Sequence, residues 1–248
     1  MREKDFYAYS AARKGLRPRA LILNNAQSIL DELRTQWEQK NIKIVEVGFN
    51  HGNDSRFICE EAFKRFGDKG WYFIGYDYER FFMPENLIMD ESLFPNISSC
   101  IKAIPCTLED LANNVSRLPS EIDFFYSSKT LTLCCKDMFY KLMKNICRRI
   151  SSGGFLLCSL HTKVDENDEF PTYDELFQLV SCNDGSKDNP FHDFSIVVQP
   201  NTNDCNFAFI AKKTGCFSIS ENNDRFENDS QIEYVKKAEA EKNTIFLT

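Results

Sequence analysis

Two short stretches hold the side chains best suited to binding chemistry. The first is EVGFNHGNDS (Glu46–Ser55), in which an apolar run ends at Gly48 and a second glycine, Gly52, follows four residues later. Glycine lets a chain turn sharply and lets its backbone approach a ligand closely. A helix beginning near Asp54 would add unpaired N–H donors at the same place. A pyrophosphate cradle needs three glycines spaced G-x-G-x-x-G, and this loop lacks that spacing. Its carboxylates, Glu46 and Asp54, would repel a phosphate but suit a ligand bearing an ammonium and a sulfonium. The bland alternative is a tight turn that binds nothing. The second stretch ends in Asp77, in IGYD. An acid at the end of a second strand can accept both hydroxyls of a ribose; otherwise it is a surface acid capping a loop.

Other reactive residues are less distinctive. Ser127, Ser128 and Lys129 close an apolar run, either a strand end that meets substrate or an ordinary polar one. The Cys134–Cys135 pair reads as core, since no His or Lys is placed to activate a thiol. His161 could serve as a base or sit on a solvated loop. The cations Arg13, Lys14, Arg17 and Arg19 form a basic arm, either a phosphate clamp or a solvated terminus. The three histidines are far apart and no C-x-x-C pair occurs, so no metal site is expected.

These residues need a scaffold, and hydrophobic periodicity supplies one. Residues 1–40 read as a basic arm followed by a helix over Asn25–Gln39, with Ile29, Leu30, Leu33 and Trp37 on one face. Strands are expected at 42–48, 71–77, 98–105, 122–128 and 155–160. Helices are expected over 54–66, 108–115, from Phe139 to Ile150, and around Tyr173–Val180. FSIVV and CNFAFIA, joined by QPNTND, make a terminal hairpin. Strand and helix alternate, which predicts an α/β, mainly parallel sheet covered on both faces, with the hairpin adding an antiparallel strand at its edge. This domain occupies 41–216, and 217–248 is a polar tail.

Composition narrows the function classes. The chain has 248 residues, 42% hydrophobic, and its net charge of −7 argues against a general duplex binder. The ten cysteines sit mostly in apolar runs and read as buried thiols of an intracellular protein, cytoplasmic or nuclear. The charged start lacks an apolar leader segment, and no apolar run has membrane-spanning length.

With Glu46-x-Gly48-x-x-x-Gly52 at strand one, Asp77 at strand two, GGFLL at strand five and a closing hairpin, the chain resembles class I S-adenosylmethionine-dependent methyltransferases over about residues 42–212. The resemblance implies that family's doubly wound, Rossmann-like seven-stranded sheet and S-adenosyl-L-methionine as cofactor. Glu46, Gly48 and Gly52 would border its methionine part, Asp77 its ribose, and Cys106, Thr107 and Glu109 its adenine; Asn50, Asp54 and Ser127 complete the expected cofactor-binding set. That family often carries an Asp after strand three, which this chain lacks. GFNHGND, the Asn24–Asn25 pair and MKNICRRISSGGFLLCSLHTKVDE are also similar to the mRNA cap guanine-N7 branch. The Gln, His and Tyr of that branch fall on Ser128, Thr132 and Leu133.

The resulting expectation is a methyltransferase with an unidentified acceptor, leaning to RNA or a nucleotide of the cap kind. Methyl transfer relies on positioning, so no catalytic residue need stand out. Two rivals are a catalytically degenerate relative acting as a partner or scaffold subunit, and another nucleotide-dependent α/β enzyme such as an oxidoreductase.

Overall fold

Seven strands form one mixed sheet: five apolar segments pair in parallel, the third at an edge and only partly buried, while two late segments pair only with each other and with the fifth. The computed structural model describes residues 19–35, 40–78, 84–161, 170–181, 188–199 and 207–214. The strands are β1 (Ile42–Val47), β2 (Trp71–Asp77), β3 (Ile101–Pro105), β4 (Ile122–Ser128), β5 (Ile150–Leu160), β6 (Phe194–Gln199) and β7 (Phe207–Lys213). Their order is β3-β2-β1-β4-β5-β7-β6. β1 to β5 pair in parallel, whereas β7 is antiparallel to both β5 and β6. The antiparallel strand therefore lies between β5 and β6, with β6 at the edge, rather than at the edge itself.

Among the described residues five helices cover the sheet: α1 (Ala20–Arg34), α2 (Asn53–Phe66), α3 (Leu108–Asn113), α4 (Lys136–Arg149) and α5 (Tyr173–Ser181). One face buries Ile44, Phe73, Phe124, Tyr126 and Leu157 under Ile22, Ile29, Leu30 and Leu33 of α1 and Ile58 and Ala62 of α2. The other buries Val45, Phe125, Leu156, Cys158 and Phe209 under Leu111 of α3, Leu142, Met143 and Ile146 of α4, and Leu176 of α5. Every residue of β4 is buried, as a strand packed on both sides requires.

Boundaries differ from expectation where local signals mislead. α1 starts at Ala20, not Asn25, because Leu21, Ile22 and Ala26 extend its apolar stripe and the Asn25 amide donates to the Leu21 carbonyl inside the helix. Ile97–Cys100 is a 3-10 turn, so β3 begins three residues later than predicted. α4 begins at Lys136, ahead of Phe139. β5 runs back to Ile150 through Gly153 and Gly154, which form a register irregularity against β4 rather than a loop. The cations Arg13, Lys14 and Arg17, Trp37, the hairpin loop and the polar tail lie outside the described residues. Among the described residues, seven cysteines are unpaired and six of them buried. No described helix is long and apolar enough to cross a membrane.

Candidate functional site

Strand order reverses between β1 and β4, and the loops leaving the carboxyl ends there diverge to opposite faces of the sheet. This is where open α/β sheets bind ligands. A cleft of about 300 Å³ opens at this point, bounded by the carboxyl ends of β1 to β4, with Arg19 and Met138 also lining it.

The β1 loop is held in its shape by protein contacts. Gly48 has φ +84°, and a Cβ there would lie 1.8 Å from Thr130 Oγ1, so the Thr130 side chain rests on the bare Gly48 backbone. Gly52, at φ +69°, caps α2, and a Cβ there would lie 2.2 Å from the Asn86 carbonyl oxygen. The close approach that Gly52 permits is thus to the turn after β2. Asn50 adopts φ +46°; its N–H donates to Asp77 Oδ2 at 2.6 Å, and its carbonyl accepts from Asn86 Nδ2 at 2.7 Å.

Asp77 is the hinge of the arrangement. Besides Asn50, it accepts the Tyr78 N–H at 2.8 Å on Oδ1. Each carboxylate oxygen has a second lone pair for a ligand hydroxyl. Burial pushes its pKa up to about 6, against the downward pull of the two amides. At neutral pH it is ionised, and it lines the cleft.

Behind the loop lies a buried polar network. Asp54 accepts from Arg19 N at 2.8 Å, Arg19 Nη1 at 2.9 Å and the Tyr126 hydroxyl at 2.7 Å. Glu46 is 1% exposed and accepts the Ser55 hydroxyl at 2.6 Å. Burial first, and the nearby Asp54 charge second, raise Glu46 to about 8, so it is mainly protonated at pH 7. Because the folded chain binds this proton more tightly than the unfolded chain, stability is lost as pH rises from about 4.5 to about 8. Glu46→Gln is expected to flatten that slope and to make the variant more stable than the parent at pH 8.5, with an upper bound of ~5 kcal/mol. Urea denaturation at pH 5 and pH 8.5 measures it; equal slopes in both proteins would refute the assignment.

Of the ten residues expected around a cofactor, Gly48, Asn50, Asp77, Cys106, Thr107 and Glu109 line the cleft. Asp54 borders a small adjoining recess with Arg19, Gly48 and Asn50. Glu46, Gly52 and Ser127 stand behind the wall, the last donating to the Val47 carbonyl at 2.9 Å. Thr107 also caps α3 through a reciprocal capping box with Asp110. The lining further includes Tyr76, Tyr78, Leu108, Lys129, Thr130, Leu133 and Met138. Tyr76 and Met138 carry no sequence signal that separates them from core residues. His161 lies outside the lining, its N–H bonded to Thr132 Oγ1 at 3.2 Å. Among the described residues no group of three or more His, Cys, Asp or Glu could hold a metal ion.

No family model matches the chain, and no curated protein does. Solved structures do. The citrinin polyketide synthase CMeT domain matches over 86% of this chain and 57% of its own, at 12% identity and TM-score 0.57. The CurJ carbon methyltransferase matches over 86% and 59%, at 10% identity and TM-score 0.53. The DszA carbon methyltransferase matches over 84% and 57%, at 12% identity and TM-score 0.51. The chain spans less than two thirds of the length of each. At these identities the likeness establishes the fold alone: a seven-stranded Rossmann-like sheet, as in these methyltransferase structures.

Proposed function

We propose that the cleft binds S-adenosylmethionine and that the chain is a methyltransferase dependent on it. One observation carries this reading: the cleft crosses the ends of β3, β2, β1 and β4 in spatial order, with the Asp77 carboxylate inside it. Strand ends ~4.8 Å apart give a track of about 14 Å, suited to a nucleoside joined to an amino acid. The residues present fit that group. Asp77 would hold the ribose hydroxyls, Cys106, Thr107 and Glu109 would bound the base, and the Gly48 backbone would flank the amino-acid chain. The cofactor supplies a methyl group activated on a sulfonium; the chain's residues orient it and keep water away.

Calorimetric titration with S-adenosylmethionine and S-adenosylhomocysteine tests the reading. Heat that disappears in Asp77→Ala supports it. A folded chain that gives no heat at millimolar ligand overturns it and leaves the non-catalytic scaffold or partner-subunit reading. Binding of a nicotinamide dinucleotide in its place would favour an oxidoreductase.

The scaffold reading has its own support: Asp54 is committed to Arg19 and Tyr126, and Glu46 to Ser55, so neither loop carboxylate is held in reserve for an ammonium group. A nucleotide acceptor of the cap kind draws support from the sequence resemblance alone, since Arg19 at the cleft wall is paired with Asp54. Against it, Ser128, Thr132 and Leu133 cannot reproduce the hydrogen bonding of the Gln, His and Tyr they replace in the resemblance.

A further inference from the structure

The turn that follows β2 reaches the β1 loop from behind, without entering the cleft. Pro84–Leu87 is a 3-10 turn anchored by the buried Leu87. Two glycines leave room for that anchor. A Cβ on Gly75, in the middle of β2, would lie 3.1 Å from Leu87 Cδ1 and 2.9 Å from Phe49 Cδ1. One on Gly52 would lie 3.3 Å from Leu87 Cδ2. Glycine inside a strand often marks a close approach, and here the β1 loop and the turn both press on β2. The anchor sets its neighbour, Asn86, against the loop. The Asn86 carbonyl oxygen fills the space beside Gly52, and its Nδ2 donates to the Asn50 carbonyl at 2.7 Å. Asn86 lines neither the cleft nor the adjoining recess.

Asn50 is a residue that needs restraint. It adopts φ +46°, a left-handed conformation that a residue with a Cβ resists. Strain of this kind persists only where the surroundings hold it, and it gathers at ligand sites. Both backbone groups of Asn50 are held, each by a different element. Its N–H donates to Asp77 Oδ2 at 2.6 Å, at the end of β2, and its carbonyl is held by Asn86. Removing the second restraint lets the residue relax, and the N–H aimed at Asp77 moves with it.

Resting on the cofactor reading above, we propose that Asn86 is a positioning residue for cofactor binding: it holds the Asn50 backbone so that the Asn50 N–H fixes the Asp77 carboxylate towards the ribose hydroxyls. Asn86 itself touches no ligand. It acts through two hydrogen bonds in series, and the second ends on the group that would bind.

Calorimetric titration of the whole chain with S-adenosylhomocysteine from pH 5 to 9 tests this. Asn86→Ala is expected to fold, with a Tm within about 4 °C of the parent, because Asn86 is only half-buried on a surface turn. Its affinity at pH 8 should fall about 10-fold. The Asn50 amide pulls the Asp77 pKa down against burial, so its displacement makes Asp77 take up a proton at higher pH. The acid limb of the binding profile, near pH 6 in the parent, should therefore move up by about half a unit or more. Arg19, Glu109 and Lys129 of the lining, Asp54 of the recess and Glu46 behind the wall are untouched by the substitution, so the movement reports the amide. Glu85→Ala, exposed on the same turn, should leave affinity and limb as they are. A merely structural asparagine would lower affinity evenly and leave the limb in place. That result, parental binding, an Asn86→Ala chain that does not fold, a parent with no acid limb, or the same upward movement in Glu85→Ala overturns the proposal alone. Failure of S-adenosylhomocysteine to bind the parent overturns the cofactor reading, and the proposal with it.

Discussion

Asp77→Ala is expected to lower the affinity for S-adenosylhomocysteine by about 100-fold or more, the largest effect of any side-chain truncation in the cleft. Two losses add. A carboxylate accepting ligand hydroxyls contributes about 1.5–3 kcal/mol per charged hydrogen bond. The same carboxylate accepts the Asn50 N–H at 2.6 Å, so its removal frees the loop that shapes the cleft. The parent carries a pH signature of the same group. Its pKa is pushed up to about 6, so the ionised acceptor is present above pH 6 and is lost below it. Affinity should hold from pH 7 to 8 and fall roughly tenfold per unit below 6, if binding needs the anion. Calorimetry at pH 5, 6, 7 and 8 reads this directly. A pH-independent affinity in the parent, or near-parental binding in the alanine variant, would show that Asp77 serves only the loop.

Gly48→Val attacks the same cleft through the backbone. The position has φ +84°, which a β-branched residue strongly resists. The new Cβ would lie 1.8 Å from Thr130 Oγ1 and 2.5 Å from Thr130 Cβ. Thr130 is too short to swing clear, so its backbone must move, and with it the turn that follows β4. A destabilisation of about 2–5 kcal/mol is expected, together with loss of ligand binding. Thr130→Gly in the same chain removes the clash but not the φ penalty, and should recover part of the stability. A Gly48→Val protein that melts like the parent would contradict the packing described here.

How much of this was readable from residue order depends on how local each cause is. β1, β2 and β4 are apolar on both faces, so their runs identify them without knowledge of neighbours. Asp77 and Gly48 were readable because each ends such a run. α1 was misplaced because Asn24 and Asn25 look like a boundary, although the Asn25 side chain bonds within the helix. Gly153 and Gly154 look like a helix stop but belong to an irregular strand, where a Cβ on Gly154 would come within 2.9 Å of the Ser151 carbonyl oxygen. The fate of Asp54 could not be read, since its partners Arg19 and Tyr126 lie 35 and 72 residues away. The same distance hides Thr130, whose contact with Gly48 exists only once β1 and β4 are neighbours.

The placement of β7 has a consequence for biosynthesis. Because β7 is wedged between β5 and β6, the exposed flank of β5 has no natural neighbour until the chain has been made as far as Lys213. β6 is synthesised first yet must wait unpaired for its only sheet partner. A nascent or truncated chain stopped before Phe207 would carry two open strand margins, an invitation to intermolecular pairing. β7, the last strand among the described residues, is therefore the splice that joins β6 to the rest of the sheet and leaves β3 and β6 as its edges.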